Sequence, residues 1–433
     1  MKVLLVVNGF PPRGRFGTEF YAGELARGLV ARGHEVEALC RADTVGDAPP
    51  SGAVETIDGA HGVPLHLVHA PAAPGRALVH AWRDASVERA FADLLDAGAF
   101  DAVHFLQLAW GLSFELPALA RARGVRTVLT VTDYGLVCHR GQMFDHTGAR
   151  CGGPHPASVC ARCLRRPAFG LEHGAARTGL ADLFAALGGP FGVVTAGDVR
   201  AREAAAARAL AHVDQVLAPS TPLVRVFEGR GAPVEPLVYA FDEAPYANAR
   251  PERDPARLRL AFLGQLAPHK GAEVLLDGFA RARRALADTG VAAELALVGS
   301  APSGRYAAWA DRLVAGLPEG ARVEPPFEPG EAPRVLAGVD AVVVPSLWDE
   351  NAPLVCLEAR AAGTRLVASR VPGIVDLVTE GVHGHLFAPG DPEDLARALV
   401  AAAGATEPAP RGLPLALDAH LERIEAAYRG PRG

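Results

Sequence analysis

Leu258-Arg259-Leu260-Ala261-Phe262-Leu263-Gly264-Gln265-Leu266-Ala267-Pro268-His269-Lys270-Gly271 opens the second half of the chain, and its reading decides the fold. A mainly apolar run of strand length ends on a glycine, and a loop holding a proline and a lysine follows. Residues 272–284 then take up the helical period, so the unit is a buried strand, a turn and an amphipathic helix. The same unit recurs downstream, with strands expected at 294–298, 341–345 and 365–368 and helices at 392–402 and 416–428. Upstream it recurs with strands at 3–8, 35–40, 101–105, 127–131 and 215–218. Helices are expected there at 18–32, near 114–122 and at 201–211. Continuous apolar strands alternating with helices indicate parallel sheet covered on both faces.

Between the two series, residues 233–257 are rich in Pro, Glu, Asp, Asn and Arg and lose all apolar period. That change of character marks a hinge between domains. The expected organisation is a first α/β domain over 1–235, a second over 258–412, and a terminal helix and tail over 413–433 that packs back on the first. Ligands of open α/β sheets collect at the carboxyl ends of the strands, so two such halves are expected to face each other across a substrate cleft.

The 433 residues are 49% apolar and 21% charged, enough to build two cores. A formal net charge of −6 gives no electrostatic reason to expect nucleic acid or an anionic membrane as partner. The opening apolar run is too short for a signal peptide and is broken by Gly9-Phe10-Pro11-Pro12. No stretch reaches the roughly 18 to 20 apolar residues of a membrane-spanning helix. The chain therefore reads as cytoplasmic, with peripheral membrane contact left open.

Two strand-end loops suit a phosphate. The first runs through Arg13-Gly14-Arg15-Phe16-Gly17-Thr18 into a helix. Glycine permits close approach of the backbone, and a helix start offers free N–H groups. A turn that binds nothing is the plainer alternative. The second loop holds Lys270, one of two lysines in a chain that otherwise uses arginine. It is either a diphosphate ligand or a solvated surface lysine.

The most specific stretch is Pro345-Ser346-Leu347-Trp348-Asp349-Glu350-Asn351-Ala352-Pro353-Leu354-Val355-Cys356-Leu357-Glu358-Ala359. Glu350 falls in a loop after a strand, Asn351 is placed to cap the next helix, and Pro353 suits its first turn. Glu358 then lies about one and a half turns into that helix, at the edge of a buried surface. A carboxylate there needs partners, and neighbouring sugar hydroxyls would supply them. The alternative is a dipole-favoured glutamate at a helix start followed by an ordinary surface one.

Glu350 and Glu358 with seven residues between them, Ala361-Ala362-Gly363, Val371-Pro372-Gly373 and the run Thr379-Glu380-Gly381-Val382-His383-Gly384-His385-Leu386-Phe387 together resemble the donor site of retaining glycosyltransferases of family 4. Gly264, Lys270 and Gly271 add to the likeness, which covers nearly the whole chain. The resemblance implies the GT-B fold, two Rossmann-like doubly wound domains with the active site between them and no metal or other cofactor at the catalytic centre. It implies a nucleoside-diphosphate sugar as donor and a glycan, lipid-linked or small-molecule hydroxyl as acceptor. Glu350, Lys270 and Asp133 would be catalytic. The donor would be held by Gly17, Gln265, Lys270, Asn351, Ala352, Pro353, Leu354 and Glu358, with Glu358 on the ribose hydroxyls.

Three departures mark a subgroup. Gln265 stands where the family has arginine, Thr132-Asp133 where many members have His-Asp, and Phe16-Gly17 where a glycine pair is usual. A phosphorylase would need a pyridoxal-bearing lysine where none is found. An epimerase or a non-catalytic sugar-nucleotide binder remain the rival readings.

Of six cysteines, Cys40 and Cys356 read as small core residues. Cys138, Cys151, Cys160 and Cys163 fall within 26 residues, spaced C-x12-C-x8-C-x2-C. The close pair looks like half of a zinc knuckle, so a structural four-thiolate zinc is expected, with His139, His146 or His155 able to replace one thiolate. Disulfides and free thiols are the alternatives.

Overall fold

The computed structural model describes residues 1–14, 16–42, 51–70, 82–109, 111–165, 194–249, 253–299, 307–405 and 407–430. Arg15 of the first loop and residues 250–252 of the hinge lie outside them. The chain divides into two compact units: Met1–Thr147 with Cys151–Phe241 and Leu417–Gly433, and Gly148–Arg150 with Asp242–Ala416.

The first unit contains β1 (Lys2–Val6), α1 (Gly17–Ala31), β2 (Glu35–Ala42), β3 (Val54–Asp58), β4 (Pro64–His69), α2 (Ala85–Gly98), β5 (Ala102–Phe105), α3 (Leu116–Ala122) and β6 (Arg126–Thr130). It continues through α4 (Ala157–Arg165), α5 (Ala196–Ala211), β7 (Gln215–Ala218), α6 (Thr221–Phe227) and β8 (Val234–Pro236). Its eight strands lie in the order β3-β4-β2-β1-β5-β6-β7-β8, all paired parallel except the β3–β4 hairpin at one edge. The central strands are buried from end to end, as β5 and β6 show.

The second unit contains β9 (Arg257–Leu263), α7 (Ala272–Ala287), β10 (Ala292–Val298), α8 (Ala307–Ala315), β11 (Ala321–Glu324), α9 (Ala332–Ala337) and β12 (Ala341–Val344). Then come α10 (Leu354–Ala362), β13 (Arg365–Ser369), β14 (Gly384–Phe387) and α11 (Pro392–Gly404). Its six strands run β11-β10-β9-β12-β13-β14, all parallel. Counted within the unit this is the order 3-2-1-4-5-6 of a doubly wound dinucleotide-type sheet. The strand order reverses between β9 and β12, and the carboxyl ends there are where such folds bind ligands.

The last helix, α12 (Leu417–Arg429), belongs to the first unit. His420 Nδ1 donates to the Val238 carbonyl at 3.0 Å, which leaves Nε2 to accept from the Tyr21 hydroxyl at 2.9 Å. Burial lowers His420 to about 4, so this pair stays neutral. Arg126 Nε reaches the Ala427 carbonyl at 3.0 Å, and Arg32 and His34 both meet Glu425. The helix is thus fixed by buried polar partners as well as by apolar contact.

Among the described residues no helix is long and apolar enough to cross a membrane.

Candidate functional site

In the second unit three strand-end loops interlock. The loop after β9 makes one 3-10 turn, Pro268–Lys270, and leaves it through Gly271 at φ 76°. A side chain at Gly271 would overlap the Pro345 carbonyl, so the glycine lets this loop lie directly on the one after β12. Leu347 N–H then donates to the His269 carbonyl at 2.9 Å. On the other flank Glu350 N–H donates to the Pro372 carbonyl at 3.1 Å. Gly373, at φ 81°, passes so close to the Glu350 carbonyl that a Cβ would collide with it.

These contacts deliver Lys270 and Glu350 to one point. Lys270 Nζ lies 2.7 Å from Glu350 Oε1, and the Ser346 hydroxyl donates to the same oxygen at 2.5 Å. Glu350 is 3% exposed; a carboxylate so placed requires this compensation. The ammonium also sits 5.0 Å from the centre of the Trp348 ring, within cation–π reach. His269 packs edge-on against the same ring at 5.2 Å.

Beyond Glu350 the backbone enters α10. Ala352 holds φ 133°, a region that favours glycine and costs a residue with a side chain roughly 1–3 kcal/mol. Asn351 does not cap this helix: Pro353 takes the cap position and no side chain bonds to the first turn. A proline ring has no acceptor, so the leading N–H groups of α10 receive no side-chain oxygen from the cap residue. One turn on, Glu358 is partly buried and accepts from the Tyr246 hydroxyl at 3.1 Å. Burial pushes its carboxyl up to about 7, with the Tyr246 hydrogen bond opposing. Gln265 is exposed at the mouth of the first loop.

The remaining predicted site residues lie in the first unit. Gly17 opens α1, where the Glu19 carboxylate accepts from Phe16 N–H at 2.8 Å. The acid thus already occupies a position an anion would take at that helix start. Asp133 follows β6 and accepts from Gly135 N–H at 2.6 Å; burial raises its carboxyl above the usual range. Thr132, beside it, donates to the Leu106 carbonyl at 2.7 Å.

Cys138, Cys151, Cys160 and Cys163 are free thiols lining one cavity of 930 Å³. Among the described residues no group of three or more His, Cys, Asp or Glu side chains could hold a metal ion, and the zinc expected from their spacing is not supported. The side chains show a physical reason. Arg140 Nε donates to Cys163 Sγ at 3.2 Å, which turns that sulfur toward a cation. Burial pushes the Cys160 thiol up to about 11 and raises that of Cys151.

Three participants escaped the sequence reading. Ser346 was quoted only as part of a motif, Trp348 has no signal apart from its neighbours, and Tyr246 lies in the segment read as a hinge. Only Ser346, four residues before Glu350, could have been found by spacing.

A parallel doubly wound sheet with a lysine, a buried carboxylate and a helix start without a side-chain cap at its switch point defines an α/β protein of the dinucleotide-type fold. Residues 16–240 match the glycosyl transferase 4-like domain and residues 257–404 the glycosyl transferases group 1 family. The chain belongs to this family of glycosyltransferases, and its fold is GT-B. It is similar to D-inositol 3-phosphate glycosyltransferases, at 39% identity over 153 residues for that of Actinosynnema mirum, covering 34% of this chain and 36% of the relative. For that of Mycobacterium sp. strain KMS the identity is 36% over 151 residues, covering 34% and 32%. The match thus spans about a third of the length of these relatives. Among solved structures it resembles Anabaena HepE in complex with UDP and glucose, with a TM-score of 0.57, 16% identity and coverage of 93% and 90%. Sucrose-phosphate synthase from Thermosynechococcus elongatus gives a TM-score of 0.61 at 16% identity, covering 99% and 94%.

Proposed function

We propose that this protein transfers a hexosyl group from a nucleoside-diphosphate sugar to an acceptor hydroxyl, with retention at the anomeric carbon. The observation that carries the reading is the Lys270–Glu350–Ser346 cluster beside the uncapped start of α10. Lys270, the backbone N–H groups of Asn351 and Ala352, and the first N–H groups of α10 from Leu354 onward would meet the diphosphate, with Pro353 setting the turn between them and donating nothing. Glu350 would accept from a hydroxyl of the donor sugar and Glu358 from the ribose hydroxyls.

Catalysis on this reading is neutralisation of charge as the sugar–phosphate bond breaks. The leaving phosphate oxygen takes the proton of the attacking hydroxyl, so the new bond forms on the face from which the old one departs. Asp133 remains a proposed catalytic carboxylate of the first unit, and Gly17 a proposed diphosphate contact, on family resemblance. The reading keeps the enzyme cytoplasmic. The relatives' name directs the first acceptor test to phosphorylated polyols, ahead of glycans and lipid-linked hydroxyls.

The test is calorimetric titration with UDP, GDP, ADP and TDP, repeated on Lys270→Ala and Glu358→Ala. One nucleotide should bind tightly and weaken in both variants, and the matching sugar donor should then give a product whose anomeric configuration is read by NMR. Failure of all four nucleotides to bind would remove the transferase reading and favour a non-catalytic role.

A further inference from the structure

Glu358 is held from outside its own helix. Tyr246 stands 112 residues away in sequence, on the one-turn 3-10 segment Ala244–Tyr246, and is buried. That segment is sewn to the second unit. Glu243 Oε1 accepts from Leu413 N–H at 3.0 Å and the Arg411 guanidinium donates to the Ala247 carbonyl, while within the turn Asp242 accepts from Ala244 N–H at 3.0 Å. The phenol therefore approaches Glu358 from a fixed platform.

We infer that Tyr246 is a positioning residue for the donor nucleotide, its O–H holding the Glu358 carboxylate in the orientation that receives the ribose hydroxyls. This rests on the donor-site reading above. A carboxylate offers about four acceptor positions, and a phenol O–H fills one of them, at Oε1. Oε2 and the remaining positions stay open for two vicinal hydroxyls. The bond also favours the ionised carboxylate against the burial that works to protonate it. Only the ionised form is acceptor-only, so without Tyr246 the residue would turn more freely and present a proton where a hydroxyl should donate.

The experiment compares a ribose with its 2′,3′-dideoxy counterpart. UDP, GDP, ADP and TDP are screened first, and the tightest is titrated by calorimetry in parallel with its dideoxy form. Wild type should prefer the hydroxylated ligand by upward of about 100-fold, the lower end of the range for two hydrogen bonds to a charged group. Tyr246→Phe should cut that preference by about three- to tenfold while leaving the affinity for the dideoxy ligand nearly unchanged. In a Glu358→Gln background, which should bring the preference close to one, Tyr246→Phe should have no further effect on it.

A purely structural role would weaken both ligands alike, and that result overturns the inference. So does a preference that Tyr246→Phe leaves intact. A preference that survives Glu358→Gln, or its absence in wild type, removes the ribose assignment of Glu358 itself. Thermal midpoints of the variants show whether each remains folded.

Discussion

The parallel core β4-β2-β1-β5-β6-β7 of the first sheet repeats the order of the second, and the two differ in what they place where that order reverses. In the first unit the reversal lies between β1 and β5, and amides fill it. Asn8 N–H donates to Gln107 Oε1 at 3.0 Å, and Asn8 Nδ2 donates to the Ala109 carbonyl at 3.2 Å. The adjoining helix start is occupied by its own Glu19. In the second unit the reversal between β9 and β12 carries an ammonium and a buried carboxylate, and the adjoining helix has no side-chain cap. Similar topology therefore yields a crossing lined by amides and one that carries charge. The fold supplies the place, and the residues there decide whether it is a site.

Four measurements bear on that contrast. Lys270→Ala removes the charge opposed to a diphosphate and strands Glu350, so transfer should fall by about 10²- to 10³-fold, whereas Asn8→Ala should cost less than tenfold. Comparable losses in both would erase the contrast. Gly373→Ala must push the Glu350 loop aside and adopt a positive φ. Destabilisation of roughly 1–3 kcal/mol, with loss of nucleotide binding, should appear in chemical denaturation and titration.

The third measurement concerns pH. Burial holds the Glu358 carboxyl at about 7 against 4.5 in the open chain. The folded state keeps that proton longer, so the stabilisation is fully present below pH 4.5 and is lost as pH rises through about 7. Glu358→Gln should flatten that part of the stability curve. Hydroxyls donating to the carboxylate favour its ionised form, so nucleotide affinity in wild type should climb over the same interval and level off above it. A wild-type affinity flat across that range would mean that Glu358 does not meet the ligand in this way. The smallest effect is expected from Glu19→Ala, which should destabilise α1 by about 0.5–2 kcal/mol and leave nucleotide affinity unchanged. A large drop in affinity would mean that Glu19 itself takes part in holding the ligand at the start of α1.

Much of the strand–helix rhythm was legible because buried parallel strands are short continuous apolar runs, and 341–345 and 365–368 are such runs. The edge strands β3 and β11 were not, since half-exposed residues such as Glu55 and Arg322 hide an apolar signal. The hinge reading missed β8 and the Tyr246 turn for a related reason. Val234–Pro236 is too short to show a period, and Tyr246 acts through a contact with no local trace. The zinc expected from the cysteines is not supported, because spacing records proximity along the chain and says nothing of where a neighbouring arginine points.

The sequence by itself determined the family and the two α/β halves and put Lys270, Glu350 and Glu358 forward as candidates, because glycines and charged residues after apolar strands leave a local pattern. Tertiary structure alone decided that Lys270 and Glu350 form an ion pair with Ser346, that Tyr246 holds Glu358, and that the four thiols face a cavity beside an arginine. The physical reason is range. Strand, turn and helix preferences act over a few residues, whereas the partners that set a buried charge come from loops brought together only when the sheet has formed.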